Sequence, residues 1–151
     1  MRSILSTPVT QVTWPGLVTV DERRSLRAAA RHLAARQVGA AVAVRGSRPV
    51  GLISERDISE RLGAGVDADL DTVGDAMSSP LIVAQWGSTV GEVLQQMATE
   101  GVRHLPVQGR DGHLAGMTSL AALLALVVAD DTVVDLRRTA PAAEGASGLF
   151  G

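Results

Sequence analysis

Ser54, Glu55, Arg56 and Asp57 interrupt an apolar run that ends at Ile53 and resumes at Ile58. A hydroxyl followed three residues later by a carboxylate has two chemical uses. In a capping box at the start of a helix, the hydroxyl and the carboxylate satisfy backbone N–H groups that the first turn leaves without partners. In a binding site, the helix N-terminus offers free N–H groups and the positive end of a dipole to a phosphate. Ser54 can then donate to a phosphate oxygen, and the Asp57 carboxylate can accept from both vicinal hydroxyls of a ribose. The two uses are compatible, because Ser54 can cap the helix while the site is empty. Arg56, beside Asp57, reaches a phosphate or stays solvated on the helix surface.

The elements that must hold this stretch come from an internal repeat. "TVDERRSLRAAARHLAARQVGAAVAV" aligns at constant offset with "VAQWGSTVGEVLQQMATEGVRHLPVQ". Ser25 meets Thr89, Leu26 meets Val90, Ala29 and Ala30 meet Val93 and Leu94, and Leu33 meets Met97. Both sets put apolar residues on one helix face, with Ser25 and Thr89 placed as N-caps. After each helix comes a short apolar strand (Ala40 to Val44; Leu105 to Val107) and a turn ("RGSRP"; "GRDGH"). A second strand (Val50 to Ile53; Leu114 to Thr118) and a closing helix (about Asp57 to Leu62; about Leu120 to Val128) follow. The second turn is one residue longer, so Gly51 meets Gly116 and Ser54 meets Ser119. Each half therefore reads strand, helix, strand, strand, helix. A unit of this size buries little apolar surface alone, so the halves are expected to pack about a pseudo-twofold axis around a shared core.

Composition removes several kinds of function. The chain has no cysteine, which excludes disulfides, thiolate metal sites and cysteine nucleophiles. His32, His104 and His113 lie far apart and form no helical zinc pattern. The net charge is −2, all 14 basic residues are arginine, and aromatic residues make up 2%; a basic face with stacking aromatics is not legible, which argues against nucleic-acid binding. No apolar run approaches the roughly 20 residues that span a bilayer. "MRSILSTPVTQVTWPG" lacks the apolar core of a signal peptide. A cytoplasmic protein without membrane contact is expected. No catalytic triad order, paired-carboxylate cleft, Walker loop or Rossmann glycine run is legible, so an enzyme is not expected.

The order of motifs resembles a tandem pair of cystathionine-β-synthase (CBS) domains, a Bateman module. The carriers are "VGAAVAVRGSRPVGLISERDI" and "DAMSSPLIV…TVGEVLQQMATEGVRHLPVQGRDGHLAGMTS", and the resemblance covers roughly 15–128. It implies an α/β (α+β) fold of two β-α-β-β-α repeats, with the first at 15–62, a polar linker at 63–76, the second at 77–128, and a disordered tail at 137–151. No catalytic domain accompanies the pair, so a stand-alone CBS protein is expected. The resemblance further implies regulation by ligand: AMP, ADP, ATP or S-adenosylmethionine bound in a cleft between repeats, no required cofactor, a homodimer, and a regulated partner protein that the sequence does not identify.

Carried onto this sequence, the family's motif gives Asp57 the ribose and Ser54 the phosphate. Val38, Gly39, Ala40 and Val42, in the small apolar stretch "VGAAV", either wall an adenine pocket or only allow close strand–helix packing. Basic residues at the positions of Arg103 and His104 reach phosphates in some family members. Thr19 falls in the first-strand segment that often contacts base or ribose. The second half departs from the pattern: Ser119 is followed by Leu120, Ala121 and Ala122, and an alanine cannot hold a ribose. One ligand per chain is expected. The missing acid at position 122 also leaves open a second reading, a dimeric scaffold that kept the fold and lost the ligand. Trp14 and Trp86 have no equivalents in each other's repeat and are expected at packing or dimer contacts.

Overall fold

The structure is a computed structural model and describes residues 2–130. The tail at 137–151 lies outside the described residues. Both long helices begin and end as their caps dictate. Helix α1 (Leu26–Arg36) starts where the Ser25 hydroxyl accepts from the Ala28 N–H at 3.2 Å, and it stops at Gln37, whose φ of 55° is left-handed. Helix α4 (Val90–Glu100) opens on a capping box of Thr89 and Glu92 and stops at Gly101, with φ of 68°. Each buries one face: Leu26, Ala29 and Leu33 in α1; Val90, Val93 and Met97 in α4.

In the first repeat, β2 (Thr19–Asp21) runs parallel to β3 (Ala40–Arg45), which pairs antiparallel with β4 (Arg48–Ser54). Helix α2 (Glu55–Gly63) leaves β4 directly. In the second repeat, β5 (His104–Gln108) pairs antiparallel with β6 (Leu114–Ser119), which feeds α5 (Leu120–Ala129). The first strand expected there is reduced to one residue. Ala84 makes a parallel bridge to Val107, donating to Pro106 O at 2.8 Å and accepting from Gln108 N at 2.9 Å.

The segments ahead of each repeat cross to the other one. A 3-10 turn at Val9–Gln11 places Val9, fully buried, in the second core among Val90, Val93, Met97 and Leu123. The linker segment carries a short helix, α3 (Val73–Ala76), whose Val73 is fully buried in the first core among Leu26, Leu33 and Ile53. The crossing obeys the repeat: Pro8 bridges Thr89 as Thr72 bridges Ser25. Strand β1 (Trp14–Pro15) pairs antiparallel with β6, Trp14 opposite Met117, just as Ser78 bridges Leu52. The fold therefore has two cores rather than one shared core, and each is closed by the other repeat's leading segment. Arg61 of α2 clamps the linker, with Nε and Nη2 both 2.7 Å from the Asp71 carboxylate oxygens.

Two glycines make the crossing possible. A β-carbon on Gly51 would stand 2.6 Å from Ser78 O, and one on Gly116 would stand 2.1 Å from Trp14 O. Both contacts are with backbone of the crossing segment, so a side chain at either position would push the segment off the sheet edge. Gly51 and Gly116 align in the repeat, and here they do the same job twice.

Candidate functional site

A cleft of about 330 Å³ lies where the two repeats meet. The β4–α2 junction lines it with Ser54, Glu55, Arg56 and Asp57, and the start of β5 lines it with Arg103 and His104. Gly39, ahead of β3, and Ser78, Pro80 and Ile82, from the crossing segment, complete the wall. That volume is at the low end of the range of about 300–1,000 Å³ typical of small-molecule pockets.

Ser54 and Asp57 form a complete capping box. Asp57 N donates to Ser54 Oγ at 3.2 Å, and Ser54 N donates to Asp57 Oδ2 at 2.8 Å. The Ser54 hydroxyl also donates to Oδ2, at 2.9 Å. All of these carboxylate bonds fall on one oxygen; among the described residues none is made to Oδ1. The cap thus holds the carboxylate in place while using half of it. Glu55 N donates to Gly39 O at 2.9 Å, which ties the helix start to the opposite wall. Arg56 is exposed and pairs with Glu60 at 2.9 Å, and both residues line the cleft. Arg103 is exposed and makes no ion pair among the described residues.

His104 is half-buried between Gly39 and Glu55. Burial pushes its imidazole below the ordinary histidine value; the Glu55 carboxylate pulls the other way, and Arg103 adds to the lowering. A depressed value keeps the ring mostly neutral near pH 7, able to gain a proton when an anion arrives. Among the described residues, no group of three His, Asp or Glu side chains is placed to hold a metal ion.

A second cleft, of about 320 Å³, is the pseudo-symmetric mate of the first. It is lined by Trp14, Gly16, Val18, Val38, Ala40, Met117 and Ser119, with no acid among the described residues. Gly39 and His104 line both clefts and separate them. The Ser119 hydroxyl caps α5 by accepting from Ala122 N at 3.2 Å, and Ala122 stands where the first cleft has Asp57.

Of the residues singled out from sequence, the structure brings together Ser54, Arg56, Asp57, Gly39, Arg103 and His104. It places Val38 and Ala40 in the mate cleft and Val42 fully in the core. Thr19 lies in neither, but in an open groove with Asp21, Arg23, Arg24 and His32, whose Nε2 is 3.0 Å from Thr19 O. The reason is the crossing: the leading segment of each repeat lines the other repeat's helix start. Ser78, Pro80 and Ile82 therefore occupy the part of the wall expected of Thr19. The repeat alignment carried that signal, since it sets Ser78 opposite Trp14 and Ile82 opposite Val18.

Comparison with known proteins agrees with this architecture. The CBS domain model matches residues 9–64 and again 73–129. An uncharacterized protein of Methanopyrus kandleri is 31% identical over 77 residues, half of this chain; the chain spans 39% of that protein's length. The CBS-domain protein ATU1752 of Agrobacterium tumefaciens superimposes with a TM-score of 0.74 at 27% identity, covering 83% of this chain and 97% of that one. The CBS domain pair of MJ0100, solved with 5'-methylthioadenosine and S-adenosyl-L-methionine, gives a TM-score of 0.70 at 21% identity, covering 80% and 94%. The CBS domain of a bacterial CNNM/CorC family Mg2+ transporter, solved with ATP, gives 0.70 at 18%, covering 83% and 89%.

Proposed function

The chain belongs to the CBS domain family, and from that premise we propose that it is a regulatory module that binds one adenosine-containing ligand per chain in the Ser54–Asp57 cleft. AMP, ADP, ATP and S-adenosylmethionine are the candidates. The observation that carries this reading is the convergence of the capped carboxylate of Asp57, the N-terminus of α2, and Arg103 and His104 of the other repeat on one cleft. Oδ1 of Asp57 accepts from the ribose hydroxyls. Ser54 and the α2 N-terminus take the first phosphate. Arg103, which has no competing ion pair among the described residues, takes charge further out.

A ligand held this way touches both repeats, so it favours whichever arrangement of them it fits best. A partner protein reads that arrangement. The module acts in the cytoplasm as a homodimer and performs no chemistry on its ligand. A solved CBS domain pair holding S-adenosyl-L-methionine with 5'-methylthioadenosine, and a solved CBS domain holding ATP, support the adenosine class.

A specific observation favours one competing reading. The Ser54–Asp57 box is fully satisfied as a cap, so the stretch has a structural use even in a scaffold that binds nothing. A thermal-shift screen separates the two. Under the ligand reading, at least one of the four compounds at millimolar concentration raises the melting temperature of the wild-type chain, and the rise disappears in Asp57→Ala. No rise with any compound favours the scaffold.

A further inference from the structure

We infer that the outer face of α1, with the groove between α1 and β2, is a docking surface for an acidic segment of a partner protein. This rests on the partner proposed above and gives it a surface and a charge. Helix α1 carries Arg27, Arg31, His32 and Arg36 and no acid. Arg24 stands exposed just ahead of its cap, Ser25. The aligned helix α4 carries Glu92 and Glu100 and no basic residue. The whole chain has a net charge of −2, so the α1 face is basic against the balance of the molecule.

The neighbouring acids are already engaged. Arg23 holds Asp21 at 2.9 Å, Arg27 holds Asp69 at 2.6 Å, and Arg61 holds Asp71 at 2.7 Å. Glu22 pairs with Arg45. Asp67 accepts from the Asp69 N–H at 2.9 Å within its own loop. Arg24, Arg31 and Arg36 are exposed and make no ion pair among the described residues. Arg31 lies opposite the buried face of Leu26, Ala29 and Leu33, and the small side chains of Ala28 and Ala35 flank it. Small neighbours let a partner's backbone come close, so that its carboxylates reach the guanidinium with two hydrogen bonds at once.

The groove beside this face is open and holds about 590 Å³, with Arg24, Ala28 and His32 on one side and Thr19 and Asp21 on the other. Strand β2 is the edge of its sheet, but its outward carbonyls are taken. His32 Nε2 is 3.0 Å from Thr19 O, and the Arg24 N–H donates to Asp21 O at 3.0 Å. An added strand needs free acceptors as well as donors, so the groove suits carboxylates better than a fourth strand. None of the aromatic residues, Trp14, Trp86 and Phe150, belongs to α1 or β2, which leaves a nucleic acid no stacking platform. The helix is roughly 16 Å long, a match for a short acidic segment. It ends at Gln37, and Gly39, just beyond, walls the ligand cleft and accepts from Glu55 N at 2.9 Å. A partner seated on α1 thus holds the element that leads into the cleft wall.

The test titrates a fluorescein-labelled oligoglutamate peptide with the full chain, without nucleotide, and reads fluorescence anisotropy at low and at physiological salt. Arg24→Glu and Arg31→Glu are compared with Arg110→Glu, which makes the same change in net charge at an exposed turn of the second repeat. Circular dichroism controls for folding, and Arg31→Gln, which keeps most of the side chain, stands in if a reversal misfolds. The expected result is saturable binding that weakens with salt. It falls at least about tenfold in Arg24→Glu and Arg31→Glu, less in Arg31→Gln, and stays unchanged in Arg110→Glu. No binding at low salt overturns the surface. An equal loss in Arg110→Glu overturns it too, since net charge alone would then explain the binding. Tighter binding of a labelled single-stranded DNA, lost in the same variants, would make the face a nucleic-acid site and overturn the acidic partner. Because no nucleotide is present, failure here leaves the ligand screen standing, and a failed screen leaves this surface standing.

Discussion

His104 Nε2 stands 2.9 Å from the place a β-carbon on Gly39 would occupy, at the partition between the two clefts. The two residues come from different repeats. Any side chain at position 39 must move the imidazole, and the imidazole has a cleft on either side to move into. The colliding atoms are the far end of a side chain, so the fold can yield. Gly39→Ala should lose under about 1 kcal/mol of stability, less than a rigid overpacking of about 1–3 kcal/mol, yet weaken ligand binding measurably. Urea unfolding set against a binding isotherm checks this. A loss of stability with unchanged binding would separate His104 from the site.

The crossing glycines should behave differently. At Gly116 and Gly51 the obstacle is the backbone carbonyl of Trp14 or Ser78. Backbone in a paired segment cannot swing aside. Gly116→Ala and Gly51→Ala should each cost about 1–3 kcal/mol, visible as a lower urea midpoint. Hydrogen exchange should quicken at Ser78 N in Gly51→Ala, because Ser78 N donates to Leu52 O at 2.9 Å across the crossing.

The repeat itself was legible in the sequence. Ser25 and Thr89 announce the helices, Leu26, Ala29 and Leu33 match Val90, Val93 and Met97, and all of these caps and faces are local patterns. Ser54-x-x-Asp57 was legible both as a cap and as a grip for the same reason. The crossing was not. It depends on Val9 finding the second core and Val73 the first, through pairings one or two residues long that leave no periodicity to read. Thr19 therefore lies outside the cleft, and Ser78, Pro80 and Ile82 line it instead. The aligned pair Gly51 and Gly116 was the trace of the crossing, but a glycine does not say which backbone approaches it.

Arg103 should report on phosphate. Its guanidinium is exposed at the cleft, and hydrogen bonds to charged groups contribute about 1.5–3 kcal/mol, with the lower end applying where solvent screens. Arg103→Ala should weaken the binding of ATP or ADP by about tenfold and leave S-adenosylmethionine, which has no phosphate, nearly unchanged. Equal losses for both would place Arg103 outside the phosphate path.

His104 should give stability a pH dependence of known sign. Its folded value is lowered by burial, so between the folded and unfolded values the unfolded chain binds the extra proton. The stabilising effect of the neutral ring is present above the ordinary histidine value of about 6.5 and is lost as pH falls through that value toward the folded one. His104→Gln should flatten the decline in unfolding free energy between about pH 7 and 5. A phosphate ligand should reverse the effect locally and cause proton uptake on binding near pH 6. Titration in two buffers of different ionisation enthalpy measures that uptake.

The most direct measurement is isothermal titration calorimetry of the wild-type chain and Asp57→Ala against AMP, ADP, ATP and S-adenosylmethionine. The account predicts saturable binding of one of these at one ligand per chain. Asp57→Ala should lose at least about tenfold in affinity while remaining folded, with about 1 kcal/mol of cap stability gone. Two ligands per chain would contradict the claim that Ala122 disables the mate cleft. Binding unchanged in Asp57→Ala, or no heat from any of the four, would return Ser54-x-x-Asp57 to a helix cap.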